Sequence, residues 1–294
     1  MILVVGASGQ LGGAIARLLL AQGETIRAMS REPEKLGALK ADRAEVVAGD
    51  LRDPASLTRA CAGVDRLVTT AHASGGAGDN APERVDGEGN RHLIDAAKAA
   101  GVQHVVFISN TLAAPDSPVD FYRLKAATEG YLQASGLDYT IIRAAPLMDL
   151  MVTLFGEPIA QGQTARIFGS GANPISFIAV EDVARFAVLA LREPQARNRI
   201  ITIGGPEART TRQIAETVAS ATGKPVAVRT LPLPMLQVMK VVLRPFNPVF
   251  ARRIQQMIVL DTSKQQIAMG ETLREFPVPL TRLEDYVRGR YTVS

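Results

Sequence analysis

The chain has 294 residues, of which 47% are apolar and 21% charged, a composition typical of globular proteins with a sizeable core. Cys61 is its only cysteine and it has three histidines, so a disulfide framework and a cysteine-based zinc cluster are excluded, and we expect no metal site. The formal net charge of +4 is small, and no basic block with interleaved aromatic residues occurs, which argues against nucleic-acid binding.

The sequence contains no recognisable targeting or membrane-spanning segment. Gly6 interrupts the first apolar run and no signal-peptide cleavage site follows it. No run reaches the roughly 18 to 20 apolar residues of a spanning helix. Together with the single cysteine, these features predict a cytoplasmic protein in a reducing compartment.

The first two-thirds of the chain alternates short apolar runs with longer amphipathic stretches, the pattern of βα units around a parallel sheet. The predicted strands are Ile2–Val5, Thr25–Met29, Ala44–Ala48, Arg66–Thr70, His104–Ile108 and Tyr139–Ile142. The predicted helices are Leu11–Ala21, Pro33–Leu39, Pro54–Cys61, Glu83–Ala100 and Phe121–Ala134. With right-handed crossovers, this order predicts an α/β fold with a doubly wound parallel sheet of the Rossmann type.

After Arg143 the pattern becomes less regular. The recognisable elements are a strand-like run at Ile175–Ala179, a helix from about Glu181, a strand at Arg199–Ile203, and a helix capped by Thr210 or Thr211 that runs to Ala221. We therefore predict a dinucleotide-binding domain over residues 1–145, to which residues 175–203 return. A smaller substrate-binding portion is expected from residues 146–174 and 204–294.

A glycine loop joins the first predicted strand to the first amphipathic helix. It contains Gly6, Ser8, Gly9, Gln10, Leu11 and Gly12. The first glycine permits a tight turn, the second lets the backbone approach a pyrophosphate, and the third lets helix and strand pack closely. The free amides and positive dipole end of the helix can then bind the phosphates. Because strand, glycines and helix follow in the required order, we predict a dinucleotide site rather than a simple turn.

The residues after the second strand indicate which dinucleotide binds. NAD-selective sites usually place an Asp or Glu there to accept a hydrogen bond from the ribose 2′-hydroxyl, whereas this chain has Ser30 and Arg31. A guanidinium can form two hydrogen bonds with a 2′-phosphate, and a serine hydroxyl can add another. We therefore predict NADP(H) as the cofactor. The alternative, which the neighbouring Glu32 keeps open, is that Arg31 is an ordinary solvated loop residue.

Several motifs together resemble the NmrA-like group of atypical short-chain dehydrogenases over roughly residues 1–220. In order they are the glycine loop, Ser30–Pro33, Gly49–Leu51, Val85-Asp86 with Asn90, Val105–Ser109, Lys125 with Glu129, Ser135–Arg143 and Glu181–Ala184. The resemblance implies that Asp50 and Leu51 lie beside the adenine, and that Thr70, Ala71 and His72 lie along the ribose side of the cofactor. The group includes quinone reductases, isoflavone-reductase-like enzymes, complex I accessory subunits and redox-sensing regulators without catalysis.

The catalytic motif of short-chain dehydrogenases is present only in altered form. Its usual members are a serine and Tyr-x-x-x-Lys, in which tyrosine protonates the carbonyl oxygen while lysine holds the ribose and lowers the tyrosine pKa. Ser109 ends the fifth predicted strand, but Tyr122 and Lys125 are three residues apart rather than four. We predict a catalytic or cofactor-binding role for Lys125, with Tyr122 and Ser109 as further catalytic candidates. The alternatives are that Tyr122 packs as an ordinary aromatic residue and that Lys125 pairs with Glu129.

The altered motif favours an acceptor that needs little acid catalysis. Quinones accept hydride readily, so positioning the nicotinamide against the ring could suffice. We therefore predict an NADPH-dependent oxidoreductase that reduces a quinone-like or conjugated carbonyl small molecule. The alternative is a non-catalytic NADP(H)-sensing regulator or an assembly subunit.

Two further segments bear on the substrate. The loop Ser74–Gly78 is predicted to form a flap over the nicotinamide, or else a solvated linker. Residues 231–260 are apolar and basic, and are predicted to form a helical cap over the substrate pocket. The alternative is a basic amphipathic surface that binds a membrane or a partner protein, although Pro245 and Pro248 interrupt any single long helix. The sequence leaves the oligomeric state open.

Overall fold

The structure of the chain, a computed structural model, describes residues 1–73 and 76–291. Ser74 and Gly75 of the predicted flap lie outside the described residues, so the flap stays a prediction. The described residues divide into two units. One comprises Met1–Arg143 and Val183–Thr202, and the other comprises Ala144–Asp182 and the residues from Ile203 onward.

The first part of the chain forms the alternating strands and helices that the sequence predicts. In chain order they are β1 Ile2–Val5, α1 Gln10–Ala21, β2 Ile26–Ser30, a 3₁₀-helix Pro33–Leu36 followed by α2 Gly37–Ala41, β3 Glu45–Ala48, α3 Pro54–Cys61, β4 Arg66–Thr69, a 3₁₀-helix Gly78–Asn80, a π-helix Glu83–Gly89 followed by α4 Asn90–Ala99, β5 His104–Asn110, α5 Asp120–Ala134 and β6 Asp138–Ala144. All six predicted strands and all five predicted helical segments are confirmed. Two of the helical segments begin in non-α geometry.

The later part of the chain is more irregular. Its elements are α6 Met148–Met151, a π-helix Val152–Gly156, α7 Glu157–Ala160, β7 Ala165–Phe168, α8 Val180–Arg192, a 3₁₀-helix Pro194–Ala196, β8 Arg199–Ile203, α9 Thr211–Thr222, β9 Val228–Leu231, α10 Leu233–Leu243, α11 Pro248–Thr262, α12 Gly270–Glu275 and α13 Leu283–Tyr291. Thr210 caps α9, as predicted, in a capping box with Gln213. The strand predicted at Ile175–Ala179 is wrong. Ile175 and Ile178 form only isolated bridges, because their partners belong to different segments that share no ladder.

Seven strands form one sheet in the order β3-β2-β1-β4-β5-β6-β8. The pairings of β1 with β2 and β4, of β2 with β3, and of β4 with β5 are all parallel. The strand order reverses between β1 and β4, so a crevice opens at their carboxyl ends, where folds of this class bind ligands. This arrangement confirms the doubly wound Rossmann-type sheet, which β8 extends by a seventh strand.

Each unit has its own apolar core. In the first unit, Leu3, Leu67 and Phe107 of the sheet belong to a buried cluster that includes residues of α3 and α4. In the second unit, a cluster around α9 includes Phe155 and Val218, and β7 and β9 pair in a small parallel sheet. None of the helices in the described part of the chain is both long and apolar enough to cross a bilayer.

Candidate functional site

The glycine loop forms a tight turn between β1 and α1. Gly6 has a φ of +84°, a conformation that glycine adopts without strain. A Cβ on Gly12 would lie 2.2 Å from the carbonyl oxygen of Gly6, so only glycine fits this close approach. Gly9 is the N-cap of α1, no described side chain caps this helix, and its first turn has no acidic residue. The first amides of α1 are therefore free of side-chain partners, as an anion site requires.

The end of β2 lies beside this loop. The hydroxyl of Ser30 donates a hydrogen bond of 2.9 Å to the hydroxyl of Ser8. Arg31 is exposed, and its guanidinium donates to the side-chain oxygen of Asn80 at 2.6 Å. Glu32 forms an ion pair with Lys35, which holds the pKa of Glu32 below its usual value. Polar side chains of the glycine loop and of the end of β2 therefore lie together, and the nearby carboxylate of Glu32 is already paired with Lys35.

The residues that follow β3 and β4 are the next cofactor-binding candidates, Asp50 and Leu51 after β3 and Thr70 after β4. Leu51 is buried, and a Cβ on Gly89 would lie 2.7 Å from its Cβ. Asp50 is held by Arg52, whose hydrogen bond lowers the pKa of the Asp50 carboxyl. After β4, the hydroxyl of Thr70 donates a hydrogen bond of 3.2 Å to the carbonyl oxygen of Val5 in β1. Thr70 thus lies beside the glycine loop, where a Cβ on Gly12 would come within 2.9 Å of its hydroxyl.

Lys125 of α5 is buried, with only 3% of its surface exposed. Its ammonium donates to the carbonyl oxygen of Ile108 at 3.1 Å and lies 3.9 Å from Oδ1 of Asp86. The ammonium also lies 4.6 Å from the ring centre of Phe107. Burial lowers the pKa of Lys125, and the charge of Asp86 opposes that shift. The ion pair of Lys125 is thus with Asp86, which differs from the alternative that it pairs with Glu129.

Asp86 and His72 complete a group of titratable side chains around Lys125. Oδ2 of Asp86 accepts a hydrogen bond of 2.8 Å from the amide of Ala73, and burial raises the pKa of this carboxyl. His72 is exposed as a whole residue, but desolvation by the neighbouring protein and repulsion from Lys125 lower the pKa of its ring. His72 is therefore neutral at neutral pH. The sequence analysis named Asp86 only as part of a family motif and gave it no role in the site, because its partner Lys125 is distant in the chain.

Phe121, rather than Tyr122, stands four residues before Lys125, where Tyr-x-x-x-Lys has its tyrosine. The Phe121 ring centre lies 5.5 Å from the Lys125 ammonium and 5.7 Å from the ring of His72. Tyr122 is buried, and burial raises the pKa of Tyr122 to about 12. Its hydroxyl therefore holds its proton more tightly than a free phenol does. The signal that could have identified Phe121 is its i,i+4 spacing from Lys125.

Ser109, the third catalytic candidate, lies in a separate buried network. Its hydroxyl donates to the carboxylate of Glu129, and the guanidinium of Arg143 donates to both oxygens of that carboxylate, with Nε at 3.1 Å from each. This bidentate geometry is the strong form of an Arg–carboxylate interaction. The Ser109 hydroxyl is thus committed to a hydrogen bond within the protein.

We expect Arg143→Met to lower the free energy of unfolding by about 3 kcal/mol, because it leaves the Glu129 charge buried without its partner. The side chain of Glu129 is only 3% exposed. The control is Arg197→Met, since Arg197 forms an ion pair with Asp138 whose side chain is 40% exposed. That exposed pair is expected to contribute less than about 1 kcal/mol. Urea denaturation measures both, and equal losses in the two variants would contradict this account.

Two other titratable residues of the first unit, Cys61 and His104, have the buried surroundings of structural residues. Cys61 is buried, which raises the pKa of its thiol to about 11 and makes it unreactive. His104 is buried, its Nε2 lies 2.9 Å from the hydroxyl of Thr140, and desolvation lowers the pKa of His104 to about 4. Among residues 1–73 and 76–291, no group of three or more histidine, cysteine or acidic side chains could hold a metal ion.

Comparison with known proteins agrees with this geometry. Residues 6–194 match the NAD(P)H-binding family. The NAD(P)H azoreductase of Xenophilus azovorans is 33% identical over 227 residues, which cover 77% of this chain and 75% of that protein. The photosystem II assembly factor Ycf39 of Synechocystis is 30% identical over 295 residues, 98% of this chain and 89% of that protein.

The fold has close counterparts among solved structures. The crystal structure of an NADPH-dependent quinone oxidoreductase from Escherichia coli, complexed with NADPH, superposes with a TM-score of 0.79 and 26% sequence identity. The match covers 99% of this chain and 100% of that one. On the glycine loop, the sheet order and these likenesses, the chain belongs to the NAD(P)H-binding family, as a member of its NmrA-like, atypical short-chain dehydrogenase group.

Proposed function

We propose that this chain is an NADPH-dependent reductase that transfers hydride to a quinone-like or other small conjugated acceptor. The observation that carries the proposal is the pairing of Phe121 with Lys125. The buried lysine is retained, but the residue four positions before it has no hydroxyl to protonate a carbonyl oxygen. Such a site suits an acceptor that takes up hydride without a protein acid. The names of the azoreductase and quinone oxidoreductase relatives support this class of substrate.

The residues around the sheet crevice fit a dinucleotide. The close approach of Gly12 to Gly6 and the uncapped start of α1 leave room and donors for a diphosphate. In our proposal, the loop residues Gly6, Ser8, Gly9, Gln10, Leu11 and Gly12 hold that group.

The same proposal places the rest of the cofactor along the strand ends. Ser30 and Arg31 bind the 2′-phosphate, a role that Glu32 does not compete for while it pairs with Lys35. Asp50 and Leu51 lie on the adenine side, and Thr70, Ala71 and His72 lie on the ribose side.

Lys125 orients the reacting end of the cofactor. NADPH supplies the hydride when it is bound. Of the three ammonium donors of Lys125, one is used by the carbonyl of Ile108, and the others remain for ribose hydroxyls. Hydride transfer reduces a quinone to the hydroquinone anion, which then takes one proton from water. Tyr122, whose pKa is raised to about 12, is not needed for this step.

Lys125→Met is expected to lower kcat for NADPH oxidation by about 100-fold, because a misplaced nicotinamide loses its reactive geometry. Methionine fills a similar volume without a buried charge, and Asp86 can become neutral since its pKa is already raised. Tyr122→Phe is the matched control and should change kcat by less than about threefold. A tyrosine that acted as the acid catalyst would contribute about 100-fold or more to kcat, and in our proposal Tyr122 does not act in the reaction.

Steady-state assays with a panel of quinones and azo compounds measure both variants, and thermal melting checks their folding. An equal loss in the two variants would assign the proton to Tyr122 and contradict the proposed mechanism.

An assembly function is the second candidate, since the likeness to the photosystem II assembly factor covers 98% of this chain. A calorimetric titration with NADPH distinguishes the two functions when it is combined with the acceptor panel. Turnover of any acceptor at rates typical of enzymes supports the reductase. Tight NADPH binding with no turnover of the whole panel favours the regulatory or assembly function.

A further inference from the structure

The exposed large apolar side chains of the described residues are concentrated in one segment of the second unit. Six of these ten residues lie on α10, in the turn after it or in the first residues of α11. Those in this segment are Met235, Val238, Val241, Val242, Phe246 and Phe250. Val241 is 67% exposed and Phe246 is 83% exposed. Contiguous apolar surface of this kind marks an interaction site more often than a chance exposure.

The helix α10 is apolar on two opposite faces. One face is covered, because Leu236 packs in a buried cluster with Ile254 and Ile258 of α11. Val238, Val241 and Val242 have the i, i+3, i+4 spacing that puts them together on the opposite face. A helix at the surface of a globular protein normally has polar residues on that face. We call the two helices and their turn, Leu233–Thr262, the α10–α11 hairpin.

The charged residues in and around this hairpin are basic, except for Asp261 near its end. No aspartate or glutamate occurs between Glu216 and Asp261. Six basic residues lie in the same interval: Lys224, Arg229, Lys240, Arg244, Arg252 and Arg253. Because the whole chain has a net charge of only +4, the rest of the chain is net acidic.

Two of the four basic residues of the hairpin are open to solvent. Arg244 and Arg253 are exposed, and neither forms an ion pair with a carboxylate of the described residues. Lys240 donates to the amide oxygen of Gln255 at 2.7 Å, a neutral partner that leaves its charge uncompensated. The hairpin thus carries both exposed apolar side chains and exposed cations without a carboxylate partner.

We propose that the α10–α11 hairpin docks on an anionic lipid bilayer. The exposed valines lie at the boundary between headgroups and acyl chains, Phe246 inserts from the turn, and the arginines bind lipid phosphates. A symmetric dimer through this face would bring the same basic groups against each other, which disfavours a second copy as the occupant. The proposal is independent of the proposed reductase function. It would bring the chain to the layer where lipid-soluble molecules concentrate.

The chain has no tryptophan, so Phe246→Trp creates a single fluorescent reporter at the turn. We expect its emission to shift to shorter wavelength with vesicles of phosphatidylglycerol and phosphatidylcholine, and much less with phosphatidylcholine alone. Ile200→Trp is the control, because Ile200 is exposed at 39% on a strand of the sheet. Its emission should not change. The absence of a shift at position 246 with anionic vesicles would overturn the proposal.

A charge-reversal pair tests the basic component by vesicle sedimentation of the full chain. Each basic residue near an anionic surface contributes about fivefold to binding, so Arg244→Glu with Arg253→Glu should weaken binding by at least about 25-fold. The control carries the same charge change in α3 and α4, as Arg59→Glu with Lys98→Glu, and should bind like the unchanged chain. Equal weakening of both double variants would overturn the docking site. Two other results would also overturn it, each in the case that the unchanged chain does not bind vesicles. In the first, Arg244→Glu with Arg253→Glu breaks a dimer of the chain. In the second, it abolishes binding to an acidic protein.

Discussion

Gly12→Ala is expected to lower the affinity for NADPH by about 100-fold or more, because the phosphate-binding loop must move by about 1 Å to admit the methyl group. The added Cβ would lie 2.2 Å from the carbonyl oxygen and 2.7 Å from the carbonyl carbon of Gly6. Both are backbone atoms, so no side-chain rotation relieves the clash. The amides at the start of α1 would then no longer converge on a diphosphate.

A graded set of glycine variants separates this effect from a general loss of stability. Gly130→Ala, in the middle of α5, meets no atom within 4 Å and should stabilise the chain by about 0.5–1 kcal/mol without changing NADPH binding. A Cβ on Gly9 would lie 3.3 Å from the Gly6 oxygen, so Gly9→Ala should weaken binding less than Gly12→Ala does. Calorimetry measures binding and thermal melting measures folding. Undiminished NADPH binding by folded Gly12→Ala would show that the phosphate site lies elsewhere.

The elements of the sheet could be predicted because buried parallel strands appear in sequence as short apolar runs. Ile2–Val5 is such a run, and all four residues are buried. The strands β7 and β9 could not be found in this way. Each has four residues, β9 is partly exposed throughout, and the two pair across a long stretch of sequence. Apolar content alone was misleading at Ile175–Ala179, whose burial comes from three separate partners rather than from a ladder.

The glycine loop could be predicted because its geometry depends on neighbouring residues in the chain. The surroundings of Lys125 depend on tertiary contacts instead. Helical spacing allowed a pair between Lys125 and Glu129, but Glu129 is held by Arg143 and Ser109, a bidentate interaction that outweighs a single i,i+4 pair. The partner that Lys125 has instead, Asp86, is brought to it by the π-helix that precedes α4. No local pattern in the sequence specifies that contact.

Arg31→Asp is expected to reverse the cofactor preference. Two charge-assisted hydrogen bonds to a 2′-phosphate contribute together about 3 kcal/mol, so their loss should weaken NADPH binding by about 100-fold. The new carboxylate would also repel the phosphate. NADH has a ribose hydroxyl at that position, from which aspartate can accept a hydrogen bond, so its affinity should stay the same or rise. Titration calorimetry with both nucleotides at low ionic strength measures the change.

Two further variants isolate the contribution of the guanidinium. Arg59→Asp makes the same change in net charge at an exposed position of α3, and should leave the ratio of the NADPH and NADH affinities unchanged. Asn80→Ala removes the present hydrogen-bond partner of Arg31 and should not weaken NADPH binding, because it frees the guanidinium for the phosphate. If Arg31→Asp lowers both affinities equally, Arg31 acts on the fold or on a group that the two nucleotides share. The selectivity would then reside in other residues of the crevice.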